Sequence, residues 1–326
     1  MPLFLNALKQ RGQLDAVQIT IACVGSRKLG DRDDLGTSWQ IFAPNLTVYG
    51  FDADADACEA ANRNLAARQV PWTEVHAPLA LADQVGESTL YVTRHPMCSS
   101  LFPPDENFLS RFAGLQELAG LDFTVEMETT TLDAFCQQEQ VSGIDFLQMD
   151  VQGAELKVLA GAEALLPGVL GLQSEVSFSA LYQNQPLFAD VDAYLRQRQF
   201  EFFNFEFRGS PGVRRRSPIQ SKTRGGQLLW SDAIYLKALP GLDVDASAAN
   251  LDRLFKLACI ADALDFSDYA LDLLVTLTLQ SDRNYADSIL QGLMTIPDLV
   301  SFGLAKLPVV QQIQGQLSDE VKASLG

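Results

Sequence analysis

The stretch that decides the fold of this chain runs from residue 145 to residue 162 and reads DFLQMDVQGAELKVLAGA. With Ile144, its first residues form an apolar run typical of a buried β-strand, which ends at Asp150. Leu156, Leu159 and Ala160 then recur at helical spacing. A buried strand followed directly by a helix predicts one strand–helix unit of an α/β protein.

The same pattern extends in both directions along the chain. Strands are expected at 19–24, 46–51, 169–176, 200–205 and 233–236, and helices at 54–67 and 187–198. A further extended region opens at Val75, and residues 88–93 are expected to be its hairpin partner after a turn at Gly86. Alternating strands and helices predict an α/β fold with a mainly parallel sheet.

Four residues that stand out from the apolar runs lie where predicted strands end. They are Gly25, Asp52, Asp150 and Glu175. In open parallel sheets, ligands bind beyond the carboxyl ends of the strands. The sequence therefore predicts a ligand site at this edge of the sheet.

Composition limits the classes of function. The 326 residues include 24 Lys and Arg against 41 Asp and Glu, a net charge of −17, and 47% are hydrophobic. The length suggests about two domains, and the apolar content is enough for a real core. The negative field opposes binding to nucleic acid or to an anionic membrane surface, so neither partner is expected.

The cysteine pattern, the lengths of the apolar runs and the first residues of the chain together suggest a cellular compartment. None of the five cysteines forms a CxxC pair, no apolar run reaches about 18 residues, and the first residues, MPLFLN, lack the pattern of a signal peptide. We therefore expect a cytoplasmic protein with no membrane insertion.

Asp52, at the end of the second predicted strand, is the candidate for binding a nucleotide. A carboxylate at that position accepts hydrogen bonds from ribose hydroxyls. The alternative is a solvated residue at a strand end. A dinucleotide site would also need GxGxxG after the first strand, whereas the glycines there are Gly25, Gly30 and Gly36. A nicotinamide-dependent enzyme is therefore disfavoured.

The opening stretch resembles the signature of the FkbM-type methyltransferase family, in which a strand is followed by Asp-Val-(Glu/Gln)-Gly-Ala-Glu and a helix. Other pieces similar to the family occur in the right order: VYGFDAD at 48–54, ALAD at 80–83, GESTLYV at 86–92, SSL at 99–101, TLD at 131–133, LYQNQPLF at 181–188 and LWSDA at 229–233. The resemblance spans about residues 19–239. It implies a Rossmann-like methyltransferase sheet of seven strands, mostly parallel with the last antiparallel. It also implies S-adenosylmethionine as cofactor and, usually, O-methylation.

The resemblance also implies which residues hold the cofactor: Gly25, Ser26, Asp52, Asp54, Ala80, Leu81 and Asp150. The backbone at Gly25 and Ser26 would pass close to the methionine end, which glycine allows because it has no Cβ. Asp52 would bind the ribose, Ala80 and Leu81 would flank the adenine, and Asp150 would face the methionine ammonium or the substrate.

One departure from the family concerns the first loop. The family usually has an Asp two residues before the first glycine and a second glycine soon after it. This chain has Cys23 there and a long loop to Gly36. Cysteine supplies no carboxylate for the cationic groups of the cofactor. Either an acid of the loop (Asp31, Asp33 or Asp34) substitutes for it, or cofactor binding is weakened or lost.

A hydroxyl acceptor needs a base within hydrogen-bonding reach to remove its proton. The candidates are Asp150, Glu155, Glu175 and His95. Glu155 could instead interact with a helix N-terminus, and His95 could be structural. The three acids could together hold a divalent cation, but their spacing matches no metal motif, and no metal is expected.

A basic loop joins the last two predicted strands. Residues 208–226 contain six Lys and Arg and no acidic residue, and they include Arg214, Arg215 and Arg216. In this topology the loop overhangs the active site, so these arginines are expected to bind an anionic acceptor, with the loop acting as a lid. The alternative is a solvated loop. Ser99 and Ser100 are further candidates for the acceptor pocket, or ordinary turn residues.

From about residue 241 only helical periodicity remains, which predicts a methyltransferase domain at 1–240 and a small helical module at 241–326. The function expected first is O-methylation of a small molecule or glycan, with an acceptor that is either anionic or polyhydroxylated. The alternative is a non-catalytic binding module that has the same fold. In either case the C-terminal helices could recruit a second copy or a protein partner.

Overall fold

The computed structural model describes residues 2–27, 38–206, 212–238 and 247–323. Ten strands lie in this part of the chain: β1 Ile19–Val24, β2 Leu46–Phe51, β3 Thr73–Ala77, β4 Ala80–Leu81, β5 Gly86–Thr93, β6 Leu121–Thr130, β7 Phe146–Met149, β8 Gly171–Ser177, β9 Phe200–Glu206 and β10 Trp230–Lys237.

The α-helices of the described residues are α1 Leu5–Gln10, α2 Ala55–Arg68, α3 Glu106–Leu109, α4 Leu115–Ala119, α5 Leu132–Gln138, α6 Glu155–Ala160, α7 Phe188–Arg196, α8 Ala248–Ala263, α9 Ser267–Gln280, α10 Ala286–Leu293, α11 Pro297–Phe302, α12 Pro308–Ile313 and α13 Asp319–Ala323. Short 3₁₀ turns occur at Trp39–Phe42, Pro96–Cys98, Leu304–Lys306 and Gln314–Gln316.

Seven strands form the main sheet, in the order β3-β2-β1-β7-β8-β10-β9. The pairs from β3 to β8 are parallel, whereas β10 runs antiparallel to both β8 and β9. The expected α/β sheet with an antiparallel last strand is therefore confirmed. The carboxyl ends of β1, β2, β7 and β8 meet at one edge, and Gly25, Asp52, Asp150 and Glu175 lie at or near these ends.

The hairpin expected between the region of Val75 and residues 88–93 is wrong. β5 pairs antiparallel with β6 in a second, three-stranded sheet of order β4-β6-β5, with Leu90 opposite Val125. β6 alternates apolar and polar residues, which is a strand pattern that the sequence analysis did not assign. Because β5 finds this partner, β3 stays at the edge of the main sheet beside β2.

Helices cover both faces of the main sheet. Helices α5, α6 and α7 pack on one face, around Leu147, Val158 and Leu195. On the other face, apolar residues of α1 and of α8–α10 form one continuous core with Ile21 of β1 and Val48 of β2. The C-terminal helices therefore form a layer of the same core as the sheet.

Asp262 of α8 ties this layer to the N-terminus. Its carboxylate accepts the backbone N–H groups of Leu3, Phe4 and Leu5 at 2.8–2.9 Å and the hydroxyl of Ser267 at 2.6 Å. It thereby satisfies donors that the first turn of α1 leaves without intrahelical partners. The predicted boundary at residue 240 lies outside the described residues, so the division into two domains stays a prediction.

Candidate active site

Gly25 brings three strand ends together. Its φ of +80° favours glycine, and a Cβ there would collide with the backbone carbonyl of Asp150. The N–H groups of Gly25 and Ser26 both donate to the carbonyl of Phe51 at 2.9 Å. The chain that leaves β1 is thus held against the ends of β2 and β7.

Asp52 lies at the end of β2, beside that loop. One carboxylate oxygen accepts the N–H of Arg27 (3.1 Å) and the other accepts the N–H of Asp54 (2.9 Å). Burial raises the pKa of Asp52, and these two hydrogen bonds and the charge of Arg27 partly oppose that rise. Each carboxylate oxygen can accept more than one hydrogen bond, so the group can still bind a diol.

Asp54 has a different position from that of Asp52. It is the N-cap of α2, where its side chain accepts the N–H groups of Asp56 and Ala57, and it pairs with Arg27 at 2.8 Å. These contacts account for the residue as a helix cap. The structure gives no separate sign that it binds a cofactor.

A buried polar chain that the sequence analysis missed supports the loop after β1. The hydroxyl of Ser26 lies 2.8 Å from Nδ1 of His76, and Nε2 of His76 lies 3.1 Å from Glu74. Asn62 holds the backbone of His76 on both sides, through its N–H and its carbonyl. A Cβ at Gly50 would collide with the His76 ring, so the glycine of the YGFD sequence makes room for it.

Asp150 and Glu175 are joined by one side-chain amide. Nε2 of Gln152 donates to Asp150 at 2.7 Å and to Glu175 at 3.0 Å. The buried hydroxyl of Tyr182 donates to the carbonyl of Cys98 (2.7 Å) and lies 3.2 Å from Oε1 of Gln152. Two residues predicted as candidates for the base are therefore neighbours, and Gln152 sets the distance between them.

Burial raises the pKa of Glu175 well above its ordinary value. The negative charges of Asp150, Glu155 and Asp232 raise it further. Asp150 itself is exposed to solvent. The site thus combines an accessible carboxylate with a partly buried neighbour that favours its neutral form.

Glu155 serves the loop after β7. Its carboxylate is buried and accepts the N–H groups of Val151 (3.0 Å) and Gly153 (3.2 Å). Burial is the main cause that raises its pKa to about 7. Gln152 has a φ of +53°, which is uncommon outside glycine, so these bonds help to hold the turn that aims its side chain.

A cavity of about 370 Å³ opens beside this pair, at the carboxyl ends of β7, β8 and β9 and the start of β10. Its described lining contains four carboxylates and two amides and no Lys or Arg: Asp150, Glu175, Glu206, Asp232, Gln148 and Gln173. Val213, Leu229 and Trp230 add apolar walls. This arrangement can present many hydrogen-bond acceptors to a ligand.

Residues 41–202 match the model of the methyltransferase FkbM domain, from just before β2 into β9. This part of the chain belongs to the FkbM methyltransferase family. The membership confirms the resemblance seen in the sequence and S-adenosylmethionine as the cofactor of the domain. β1 and the Gly25 loop lie outside the match.

The individual relatives match this chain over only part of their own length or at low sequence identity. It is 35% identical over 88 residues to the 2-O-methyltransferase NoeI of Sinorhizobium fredii, a segment that spans 27% of this chain and 35% of that protein. The crystal structure of a methyltransferase FkbM from Methylobacillus flagellatus KT aligns over 68% of this chain and 43% of that one, at 10% identity and a TM-score of 0.37. Magnesium protoporphyrin IX methyltransferase from Synechocystis PCC 6803, with bound SAM, aligns over 72% and 76%, at 12% identity and a TM-score of 0.34.

Three further residues predicted to bind the cofactor or the acceptor are buried, and they pack or hydrogen-bond within the FkbM domain. Ala80 and Leu81 are buried and form β4, beside the end of β6. Ser100 donates to the carbonyl of Gln152 at 2.7 Å, so it braces the turn beside Asp150.

The other two candidates from this region lie in a turn. Ser99 accepts the N–H of Thr93 at 3.2 Å within the turn after β5. His95 lies in that turn, and its N–H donates to the carbonyl of Leu118. Neither residue lines the cavity of the FkbM domain.

The structure does not bring Arg214, Arg215 and Arg216 to the cavity. Arg215 stacks on the ring of Phe112, 4.4 Å from its centroid, and Arg216 binds Glu117 at 2.6 Å. Nη1 of Arg214 lies 3.5 Å from the carbonyl of Ser221, within the loop itself. These contacts hold the described part of the basic loop against the segment 112–117. The anionic acceptor was expected because these arginines would bind it, and their observed contacts do not support that role.

The structure shows the surroundings of Cys23, which stands where the family usually has an Asp. Its thiol lies 3.9 Å from Oε1 of Gln148, on the neighbouring strand β7. The loop acids Asp31, Asp33 and Asp34 lie outside the described residues. A substitute carboxylate from that loop therefore remains a prediction.

The described residues include no group of three or more His, Cys, Asp or Glu side chains suited to a metal ion, and Glu155 is turned to backbone N–H groups instead. In the same part of the chain, no helix has the length and apolar character needed to cross a bilayer. The expected absence of metal, nucleic acid and membrane partners, and the cytoplasmic location, remain predictions.

Proposed function

We propose that this chain transfers a methyl group from S-adenosylmethionine to a hydroxyl of a neutral, polyhydroxylated acceptor, a small molecule or a glycan. The observation that carries the proposal is the joined pair Asp150 and Glu175, which lines the carboxylate-rich cavity, while the backbone of Asp150 packs against Gly25.

The residues present fit the cofactor. Asp52 would bind the ribose diol with the free lone pairs of its carboxylate, and the Gly25 turn leaves room for a ligand to approach the backbone. S-adenosylmethionine carries a sulfonium and an ammonium group, so an acidic edge suits its positive charges. Asp150 would face the ammonium group or the reacting centre.

The chemistry that the cofactor supplies is an electrophilic methyl group. The protein then has to position the acceptor hydroxyl, exclude water and take up one proton. We assign proton uptake to Asp150, because it is the accessible member of the pair. Glu175, whose pKa is raised, and the Gln152 amide would hold Asp150 in place.

The lining of the cavity favours a neutral acceptor rich in hydroxyl groups. Carboxylates and amide oxygens accept hydrogen bonds from hydroxyls, whereas an anion would meet repulsion from the negative charges of Asp150, Glu206 and Asp232. The 2-O-methyltransferase similar to part of this chain supports O-methylation. Of the two expected kinds of acceptor, the lining supports the polyhydroxylated one over the anionic one.

The test starts with calorimetric titration of S-adenosylmethionine, followed by transfer of a labelled methyl group to matched acceptors. We expect cofactor binding, and at least tenfold higher kcat/KM for a neutral hexoside than for the corresponding uronic acid. We expect Asp150→Asn to lower the transfer rate by about 100-fold. No binding at millimolar cofactor would overturn the proposal and favour the non-catalytic binding module, which the loss of an acid at Cys23 makes the second candidate.

A further inference from the structure

A second cavity, of about 330 Å³, lies at the opposite edge of the sheet from the active site. It lies where β9 begins and β10 ends, beside the chain that leads into β8 and the first turns of α8. Its described lining includes three cations and one acid: Lys237, Arg198, Arg253 and Glu163. The loop residues Pro167, Gln197 and Gln199 complete most of the rim.

Lys237 carries a buried ammonium group. The residue is only 4% exposed, its Nζ donates to the carbonyl of Arg198 at 2.6 Å, and it lies 3.9 Å from the centroid of the Phe200 ring. Within the described residues it has no ion pair. Burial, aided by Arg253 and Arg198, lowers the pKa of Lys237 to about 8, so the group is still mostly charged at neutral pH.

Arg253 is incompletely satisfied. One Nη2–H donates to the carbonyl of Pro167 at 2.6 Å, whereas the buried Nε–H has no hydrogen-bond partner. A guanidinium has five N–H donors, and a buried donor without a partner is destabilising. The guanidinium of Arg253 therefore carries a donor that the described residues leave unsatisfied beside the cavity.

The remaining charges of the cavity already cancel. Arg198 forms a two-pronged pair with Glu163, with Nη2 at 2.8 and 2.9 Å from its two oxygens. Lys237 and Arg253 then leave two positive charges without an acidic partner among the described residues. Such a concentration is unusual for a chain with a net charge of −17.

We propose that this second cavity binds the phosphate group of a small phosphorylated molecule. Lys237 and Arg253 both line the cavity, and a tetrahedral oxyanion can accept from several cationic donors because its oxygens point in several directions. The volume is at the lower end of ligand pockets, which suits a small metabolite. Because Lys237 belongs to β10 and Arg253 to α8, the ligand would fasten the C-terminal helices to the sheet.

The experiment is calorimetric titration with inorganic phosphate and, separately, with ribose 5-phosphate, in a non-phosphate buffer at constant ionic strength. Thermal unfolding is followed under the same conditions. The variants are Lys237→Met and Arg253→Gln, with Arg63→Gln as control, since Arg63 is exposed on α2. Lys237→Met replaces a buried charge with an apolar chain of similar length, so we expect it to fold.

We expect one saturable site in the unmodified protein and in the control, and at least tenfold weaker binding in the other two variants. Tighter binding of the ester would identify a phosphorylated metabolite as the ligand class, and equal binding would identify phosphate alone. No binding by the unmodified protein, or the same response in all variants, would overturn the proposal. If Arg253→Gln fails to fold, Lys237→Met alone decides. The result is independent of cofactor binding at the other edge.

Discussion

Replacing Asp52 by Asn tests where the cofactor binds. The amide keeps one acceptor oxygen, which can still accept the N–H of Arg27, whereas the N–H of Asp54 loses its acceptor and the negative charge is lost. Hydrogen bonds to a charged group contribute about 1.5–3 kcal/mol each, so the loss of one such bond to the ribose lowers affinity about 10- to 100-fold. Asp52→Ala is less informative, because it also leaves the two N–H groups of Arg27 and Asp54 without an acceptor.

The assay is calorimetric titration of S-adenosylmethionine over a range of pH. Burial places the pKa of Asp52 above its ordinary value, so we expect the affinity of the unmodified protein to fall as the pH falls through that pKa. Asp52→Asn should lack this dependence. Denaturant unfolding of Asp52→Asn and of the unmodified protein should show that both are folded under the conditions of the titration.

Asp54→Asn is the matched control. Asn is as good an N-cap as Asp, so helix α2 should be preserved. We expect its cofactor affinity to stay within about threefold of the unmodified protein. An equal loss in both variants, or none in Asp52→Asn, would refute the assignment of the ribose to Asp52.

Three further changes test the framework of the site. Asp262→Ala leaves three backbone donors without partners and should lower the free energy of unfolding in urea by about 3 kcal/mol, whereas the exposed Asp272→Ala should change it by less than about 0.5 kcal/mol. Gly25→Ala should abolish cofactor binding in the same titration, because its Cβ would collide with backbone, while Gly143→Ala, which has open space, should bind normally. The pKa of Glu155 is raised to about 7, so its contribution to stability is present below about pH 4.5 and is lost as the pH rises through 7. Between pH 5 and pH 8, the free energy of unfolding in urea should therefore decrease by about 2–3 kcal/mol less in Glu155→Gln than in the unmodified protein. An identical decrease in both proteins would contradict a raised pKa at Glu155.

Local patterns in the sequence predicted much of the fold. The apolar runs at β1, β2 and β7 and the helical spacing after Asp150 are properties of neighbouring residues, so a short window reveals them. The ends of these strands predicted the edge where Gly25 and Asp52 meet. The same logic missed β6, although its alternation was present in the sequence.

The partners of distant residues could not be derived in this way. Nothing local indicates that the amide of Gln152 joins Asp150 to Glu175, or that Arg216 pairs with Glu117 instead of facing the cavity. Those contacts depend on how strands and loops far apart in sequence are placed side by side.

The amino-acid sequence by itself therefore determined the alternation of strands and helices in the main sheet, the sign of the charge, and which acids lie at the ends of its strands. Only the tertiary structure decided that four carboxylates line the cavity beside Gln148 and Gln173, that the C-terminal helices share the core of the sheet, and that Lys237 and Arg253 line a second cavity at its opposite edge. The physical reason is that hydrophobic periodicity reports which face of an element is buried. It does not report which distant element covers that face or which charges become neighbours as a result.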